Sequence, residues 1–205
     1  SEELGGMGVD SLTTAMVVEE LGRGDLGTSV VFAQTLKIAA IMEGAFNDDQ
    51  KQRALVPFVD DPQAILSICI TEPGSGSNGV IPYTTPLQTR AEKVDGGWLA
   101  NGMKHFISNS NRSRFFLVFM QTDPSVSMRD GVSCFLLERG HPGFTVGRVH
   151  DKMGERLANN SELIFTDCFI PDENLVGEVD QGMKTLGAFM PSSNSYAAAS
   201  ILGVA

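Results

Sequence analysis

The sequence predicts an α+β protein: a helical N-terminal segment, an antiparallel β-sandwich or barrel in the middle, and the start of a second helical unit. Three observations predict it. Up to Pro62 the apolar residues recur at helical spacing. Beyond Pro62 they alternate with polar residues along short runs separated by turn residues. From Gly182 the helical period returns. These changes of period divide the chain into units 1–62, 63–178 and 179–205.

Taken in order, Glu3-Leu4-Gly5-Gly6-Met7-Gly8 is a glycine-rich turn, and Asp10 or Ser11 can cap the helix that follows. Leu12, Ala15, Val18 and Leu21 mark its inner face and Gly22 ends it. Thr28 to Met42 reads as a second, strongly apolar helix. A third is capped by Asn47-Asp48-Asp49-Gln50, carries Lys51 and Arg53 later as the helix dipole favours, and is closed by Pro57. All three read as packing elements. Strands are predicted at Ala64–Thr71, Leu87–Val94, Trp98–Asn101, Lys104–Ser108, Phe115–Gln121, Val132–Leu137, Phe144–Val149 and Glu162–Ile170. Asp95-Gly96-Gly97, Asn101-Gly102 and His141-Pro142-Gly143 supply turns. Asp123 to Gly131 reads as a polar, mobile hairpin tip. Met183, Leu186 and Phe189/Met190 resume a helical face, which Pro191-Ser192-Ser193-Asn194 either kinks or restarts.

A net charge of −10 argues against a nucleic-acid partner, since phosphate backbones require a basic surface. Cys69, Cys134 and Cys168 each fall within a predicted strand, with no C-x-x-C and no histidine at metal spacing, so they read as buried, reduced thiols of a cytoplasmic protein and no metal is expected. No run approaches the ~20 apolar residues of a membrane span, and no signal peptide is visible. The chain begins without Met and stops inside an alanine-rich apolar segment, which reads as a fragment.

The chemistry concentrates where the β-branched run Leu66–Thr71 stops in Glu72-Pro73-Gly74-Ser75-Gly76-Ser77-Asn78-Gly79. Glycines admit a ligand close to the backbone, and successive N–H groups in such a turn can converge on a phosphate. Gly74, Gly76 and Gly79 fit the dinucleotide fingerprint G-x-G-x-x-G, but two prolines and β-formers occupy Val80–Pro86, where that motif requires a helix. No Lys follows the glycines as a P-loop would need. A tight turn at Asn101-Gly102 is followed by a strand that puts Phe106 and Ser108 on one face.

Ile70-Thr71-Glu72-Pro73 with Gly76-Ser77, Asn101-Gly102-x-Lys104-x-Phe106-Ile107-Ser108-Asn109, Lys152-Met153-Gly154-x-Arg156, and Phe165-x-Asp167-x-x-Ile170-Pro171-x-x-Asn174-x-x-Gly177 together resemble the acyl-CoA dehydrogenases, in that family's order and spacing. The resemblance covers nearly the whole chain. It implies a helical N-terminal domain, a central β domain and a C-terminal helical bundle, of which this chain would hold the later part of the first, all of the second and the opening of the third. It also implies FAD as cofactor, with Thr71, Gly76, Ser77, Phe106, Ile107 and Ser108 binding it. Phe106 would cover one face of the isoalloxazine where the family usually has Trp. Ser108 would reach the N5/O4 edge where Thr is usual. Thr71 would bond the pyrimidine side, and Gly76 and Ser77 would lie against phosphates, Ser77 also meeting substrate. Ile68 stands where relatives often have an aromatic, and Asn78 where Asp is frequent.

The function implied is α,β-dehydrogenation of an acyl-CoA in fatty acid metabolism. Electrons would pass to an electron-transfer flavoprotein, and the assembly would be a homo- or hetero-oligomer, typically a homotetramer. The base is a Glu expected beyond Ala205, because Ser192-Ser193-Asn194 offers no acid near the family's first-helix location, where Pro191 and Asn194 also replace the usual CoA contacts. Two alternatives share the fold: a non-catalytic partner subunit of a heteromeric dehydrogenase, and a flavin monooxygenase or nitroalkane-oxidase-like enzyme. By residue type alone His105, His141 and His150 read as structural or solvated, and Lys152, Arg156, Arg112 and Arg114 as sources of local positive charge.

Overall fold

The computed structural model describes residues 1–76, 85–187 and 190–205. Helix α1 (Ser11–Gly24) starts where the Asp10 carboxylate accepts the Thr13 N–H, and α2 (Leu26–Ala45) starts the same way on Asp25. In α1 the buried face is Thr14, Val18 and Gly22, while Leu12 is 72% exposed, against the expectation that it points inward. Helix α3 (Asp48–Gln50) opens with an Asn47/Gln50 capping box and runs through a π-helical turn (Lys51–Leu55) into α4 (Val56–Asp60). Pro57 therefore does not close the helix: the Val56 N–H bonds five residues back to Lys51, and Pro57 takes an early α4 position where a missing N–H costs nothing. By length and composition alone α2 is long and apolar enough to cross a membrane. In this fold it is a core helix, burying Ala33, Ile38, Ile41 and Met42 together with the polar Ser29, Thr35 and Lys37.

The strands are β1 (Leu66–Cys69), β2 (Arg90–Val94), β3 (Gly97–Ser108), β4 (Phe115–Gln121), β5 (Val132–Glu138), β6 (Phe144–Val149), β7 (Asn160–Pro171) and β8 (Leu175–Val176). They form one sheet in the order β6-β7-β3-β2-β4-β5-β8, with β1 added beside β4. It is mixed rather than wholly antiparallel, because β1 and β2 both run parallel to β4. Strand β4, Phe-Phe-Leu-Val-Phe-Met-Gln, is buried throughout. Its odd residues Phe115, Leu117 and Phe119 join a core with α2, and its even residues Phe116, Val118 and Met120 join a second core with β3, β6 and β7. Trp98 of β3 meets Phe135 of β5 edge-on at 5.5 Å and Phe116 meets Phe144 of β6 at 4.9 Å, so the sheet curls until non-neighbouring strands share a core.

Three expectations change. The segments Trp98–Asn101 and Lys104–Ser108 are one strand, β3, which passes Gly102 through a bulge instead of turning there. Gly102 has φ +135°, and a Cβ would sit 2.6 Å from Thr89 Cα, so only glycine lets the strand cross this point. Strand β2 begins at Arg90, not Leu87, because the N–H groups of Leu87, Gln88 and Thr89 go to side chains, Gln121 for the first and Glu72 for the other two. The 123–131 tip is anchored: Met128 in the short α5 (Met128–Gly131) is fully buried, and Gln121 Nε2 donates to the carbonyls of Asp123 and Val126. As expected, Cys69, Cys134 and Cys168 are free and buried in β1, β5 and β7, and burial pushes their thiols up, that of Cys168 to about 11.

Helices α6 (Gly182–Gly187) and α7 (Met190–Val204) follow the sheet, with Pro191 in the first turn of α7. α7 returns to the N-terminal helices: Ser29 Oγ donates to Val18 O at 2.6 Å and to Ser200 Oγ at 2.9 Å, and Tyr196 packs with Val18 and Ala33.

Candidate flavin-binding site

The site is built where β1 ends and β3 bulges. After Ile70 and Thr71 the chain closes a tight turn in which Glu72 and Ser75 exchange both backbone hydrogen bonds, at 3.0 and 3.1 Å. Thr71 is held to β3 because its carbonyl accepts the His105 N–H at 2.8 Å. The adjacent Lys104 is fully buried and donates through Nζ to Ile70 O at 3.0 Å and Glu72 Oε1 at 2.8 Å. Glu72 in turn accepts the N–H groups of Gln88 and Thr89 at 2.7 and 2.9 Å. Burial pushes the Glu72 carboxyl up, but the Lys104 ammonium and these donors outweigh it and hold the group below its usual range. Burial likewise draws Lys104 down, and Glu72 restrains the fall.

Two residues along β3 the character reverses. Phe106 has φ +57°, a left-handed conformation strained for a bulky residue, and its side chain is 56% exposed. Its ring leans on two imidazoles, His105 at 4.2 Å and His150 at 4.7 Å between centroids. Asn160 fixes the strand from the side, donating through Nδ2 to Phe106 O and Ser108 Oγ, both at 3.0 Å. Ser67 of β1 donates to Ser108 O at 2.7 Å. Together these contacts leave a cavity of about 160 Å³ lined by Ile68, Ile70 and Thr71 from the β1 side, Phe106, Ile107 and Ser108 from β3, and Gln34 and Ile38 from α2.

Four of the sequence-predicted residues, Thr71, Phe106, Ile107 and Ser108, therefore border one cavity. Ile107 is 2% exposed and belongs mostly to the second core. Gly76 does not line the cavity, and among the described residues a Cβ built on it would meet nothing within 4 Å. Ser77, Asn78 and Gly79 lie outside the described residues, as do Val80–Thr84, the stretch on which the dinucleotide fingerprint was rejected. The basic residues are mostly not free charge: Arg156 pairs with Asp151 at 2.8 Å and donates to Lys152 O, Lys152 lies 3.8 Å from Glu155, and Arg114 pairs with Glu138 at 3.0 Å. His141 is structural, its Nε2 2.7 Å from Phe169 O. For His150, burial followed by the charge of His105 lowers the pKa.

Sequence reasoning missed the Glu72–Lys104 pair, the His150 support behind Phe106, Asn160, and the contribution of α2, which had read as packing alone. One signal was available: Glu72 and Lys104 are charged residues within otherwise β-forming runs, each an expense unless the other is its partner.

An exposed, strained aromatic beside two hydroxyls and an apolar cavity fits a flat cofactor with a polar edge, since stacking holds the ring while hydroxyls donate to its rim. The acyl-CoA dehydrogenase N-terminal domain matches residues 1–61 and the acyl-CoA dehydrogenase middle domain matches residues 67–168, and the chain belongs to the acyl-CoA dehydrogenase family. The mitochondrial short-chain specific acyl-CoA dehydrogenase of Rattus norvegicus is 34% identical over 206 residues, covering 100% of this chain and 48% of that protein. The structure of butyryl-CoA dehydrogenase from Megasphaera elsdenii superposes with a TM-score of 0.90 at 33% identity, covering 99% of this chain and 52% of that one. The FAD complex of PigA superposes with a TM-score of 0.89 at 29% identity, covering 100% and 52%. The chain thus spans about half the length of the curated relatives it matches.

Proposed function

We propose that the protein binds FAD across the cavity between β1 and β3 and that, at full length, it dehydrogenates an acyl-CoA thioester. One observation carries the reading: Phe106 is held exposed at φ +57° beside Thr71 and Ser108, an arrangement strained for the backbone that suits a ring laid against it. FAD when bound supplies a two-electron acceptor for the substrate's β-hydride while an α-proton leaves to a carboxylate, giving the trans-2-enoyl thioester. In this chain Phe106 would cover one ring face and exclude water from it, while the Thr71 and Ser108 hydroxyls would donate to the ring's polar edge. Gly76 and Ser77 would supply backbone N–H groups and a hydroxyl to phosphates. None of the eight described residues lining the cavity is acidic, so the carboxylate base is expected in the part of the relatives' length that this chain does not span. Transfer of electrons to an electron-transfer flavoprotein and assembly as a homotetramer are parts of the same proposal, supported by family membership.

The test is anaerobic mixing of the full-length flavoprotein with a panel of acyl-CoAs, followed by visible absorbance. At least one should bleach the flavin. If no FAD copurifies and added FAD shows no saturable binding, the site assignment fails. If FAD binds but no acyl-CoA bleaches it, the non-catalytic partner reading replaces the dehydrogenase. Oxygen consumption supported by a nitroalkane, hydroxylamine or phenol would favour the oxidase or monooxygenase.

A further inference from the structure

Behind Phe106, on the three neighbouring strands β6, β7 and β3, the fold gathers His105 from β3, Glu162 from β7 and His150 from just after β6, with one ligand atom of each within 4.8 Å of the others. We propose that these three residues form a binding site for a divalent cation of the zinc class, adjacent to but distinct from the flavin site.

Four features of the cluster support this. His105 Nε2 and Glu162 Oε1 are 3.3 Å apart, which is the edge of a tetrahedron whose metal–ligand bonds are about 2.0–2.1 Å. His150 Nε2 is buried with no hydrogen-bond partner, a cost that a metal ion would remove. The Arg148 N–H donates to Glu162 Oε2 at 3.2 Å, so the carboxylate is oriented by one oxygen and presents the other to His105, the arrangement that outer contacts of metal ligands provide. All three side chains are half-buried, which leaves a path for an ion and a fourth position for water. The set carries one carboxylate, and the positive charge of Arg148 also acts on His150, so affinity must come from nitrogen coordination rather than from negative charge. That selects Zn²⁺ over Ca²⁺ or Mg²⁺, which require several oxygens. Sequence spacing could not expose the set, because its members come from two strands and the segment after a third, brought together only by the sheet.

Because the Phe106 ring packs on both imidazoles, at 4.2 and 4.7 Å, fixing them on a metal also fixes the ring from behind. The test uses metal-stripped full-length protein and Zn²⁺ in competition with a chromophoric chelator. One Zn²⁺ per chain should bind with micromolar or tighter affinity. His150→Gln and Glu162→Gln should each weaken it at least ~10-fold, whereas His141→Gln should leave it unchanged. Binding in the millimolar range only, or equal binding by all variants, overturns the proposal. A readout needing no variant is the NMR signal of the imidazole nitrogens: Zn²⁺ must shift those of His105 and His150 and spare His141, and unshifted His105 and His150 resonances overturn the proposal even if the variants fail to fold.

Discussion

Lys104 and Phe106 are two residues apart on β3, and the structure treats them in opposite ways. Lys104 is fully buried, and its ammonium is matched by the Glu72 carboxylate and the Ile70 carbonyl. Phe106, an apolar side chain that burial would reward, is left 56% exposed on a strained backbone. The polar residue anchors and the apolar one is presented. A buried charge retained at such cost ties the β1 exit, the chain re-entering at Gln88–Thr89 and β3 into one rigid frame, and that frame holds the aromatic out. Hydrophobicity alone would have assigned the two residues the other way round.

The comparison breaks most visibly at the anchor. Lys104→Ala leaves a buried, unpaired carboxylate and should cost about 3–5 kcal/mol in denaturant unfolding. Its pH dependence gives a second check. In the wild type the folded pKa of Glu72 lies below its unfolded value, so the pair's contribution is complete above the ordinary Glu range and is lost as pH falls through the lowered value. Without Lys104, burial acts on Glu72 against only the Gln88 and Thr89 N–H donors, which shifts the balance toward its neutral form, so the deficit of the variant should be largest near neutrality and shrink in acid. A deficit independent of pH would mean that the ammonium does packing work only.

At the presented residue the expected balance is different. Phe106→Gly removes left-handed strain of about 1–2 kcal/mol and adds chain entropy of about 0.5–1 kcal/mol, so unfolding should move by less than ~1 kcal/mol. FAD affinity should fall ~3–10-fold with the lost stacking. A stability loss as large as that of Lys104→Ala would show that Phe106 belongs to the frame. The smallest structural effect is expected at Gly76→Ala, where the added Cβ meets nothing within 4 Å among the described residues: unfolding should stay within about 0.5 kcal/mol while FAD binding weakens, as followed by flavin fluorescence quenching. Unchanged FAD binding there would remove Gly76 from the site.

Much of the molecule was legible in one dimension. The change of period at Pro62 and its return at Gly182 separated helices from strands, Asp10 and Asn47 were readable caps, and the continuous apolar run of β4 marked a strand that the fold buries on both faces. These signals are local, because periodicity and capping act within a few residues. The ordered motifs were legible too, and with them the family, the pairing of Thr71 with Phe106 and Ser108, and three buried thiols. Only the tertiary structure decided that Gly102 is a bulge rather than a turn, since that depends on how closely Thr89 approaches, and that Pro57 is passed by a π-helical turn. It alone gave Glu72 to Lys104, brought Gln34 and Ile38 of α2 to the cavity, and set His150 and Glu162 beside His105. Apart from the local turn at Pro57, these are interactions between segments distant in sequence, whose energy depends on burial and distance, and neither quantity exists until the chain has closed on itself.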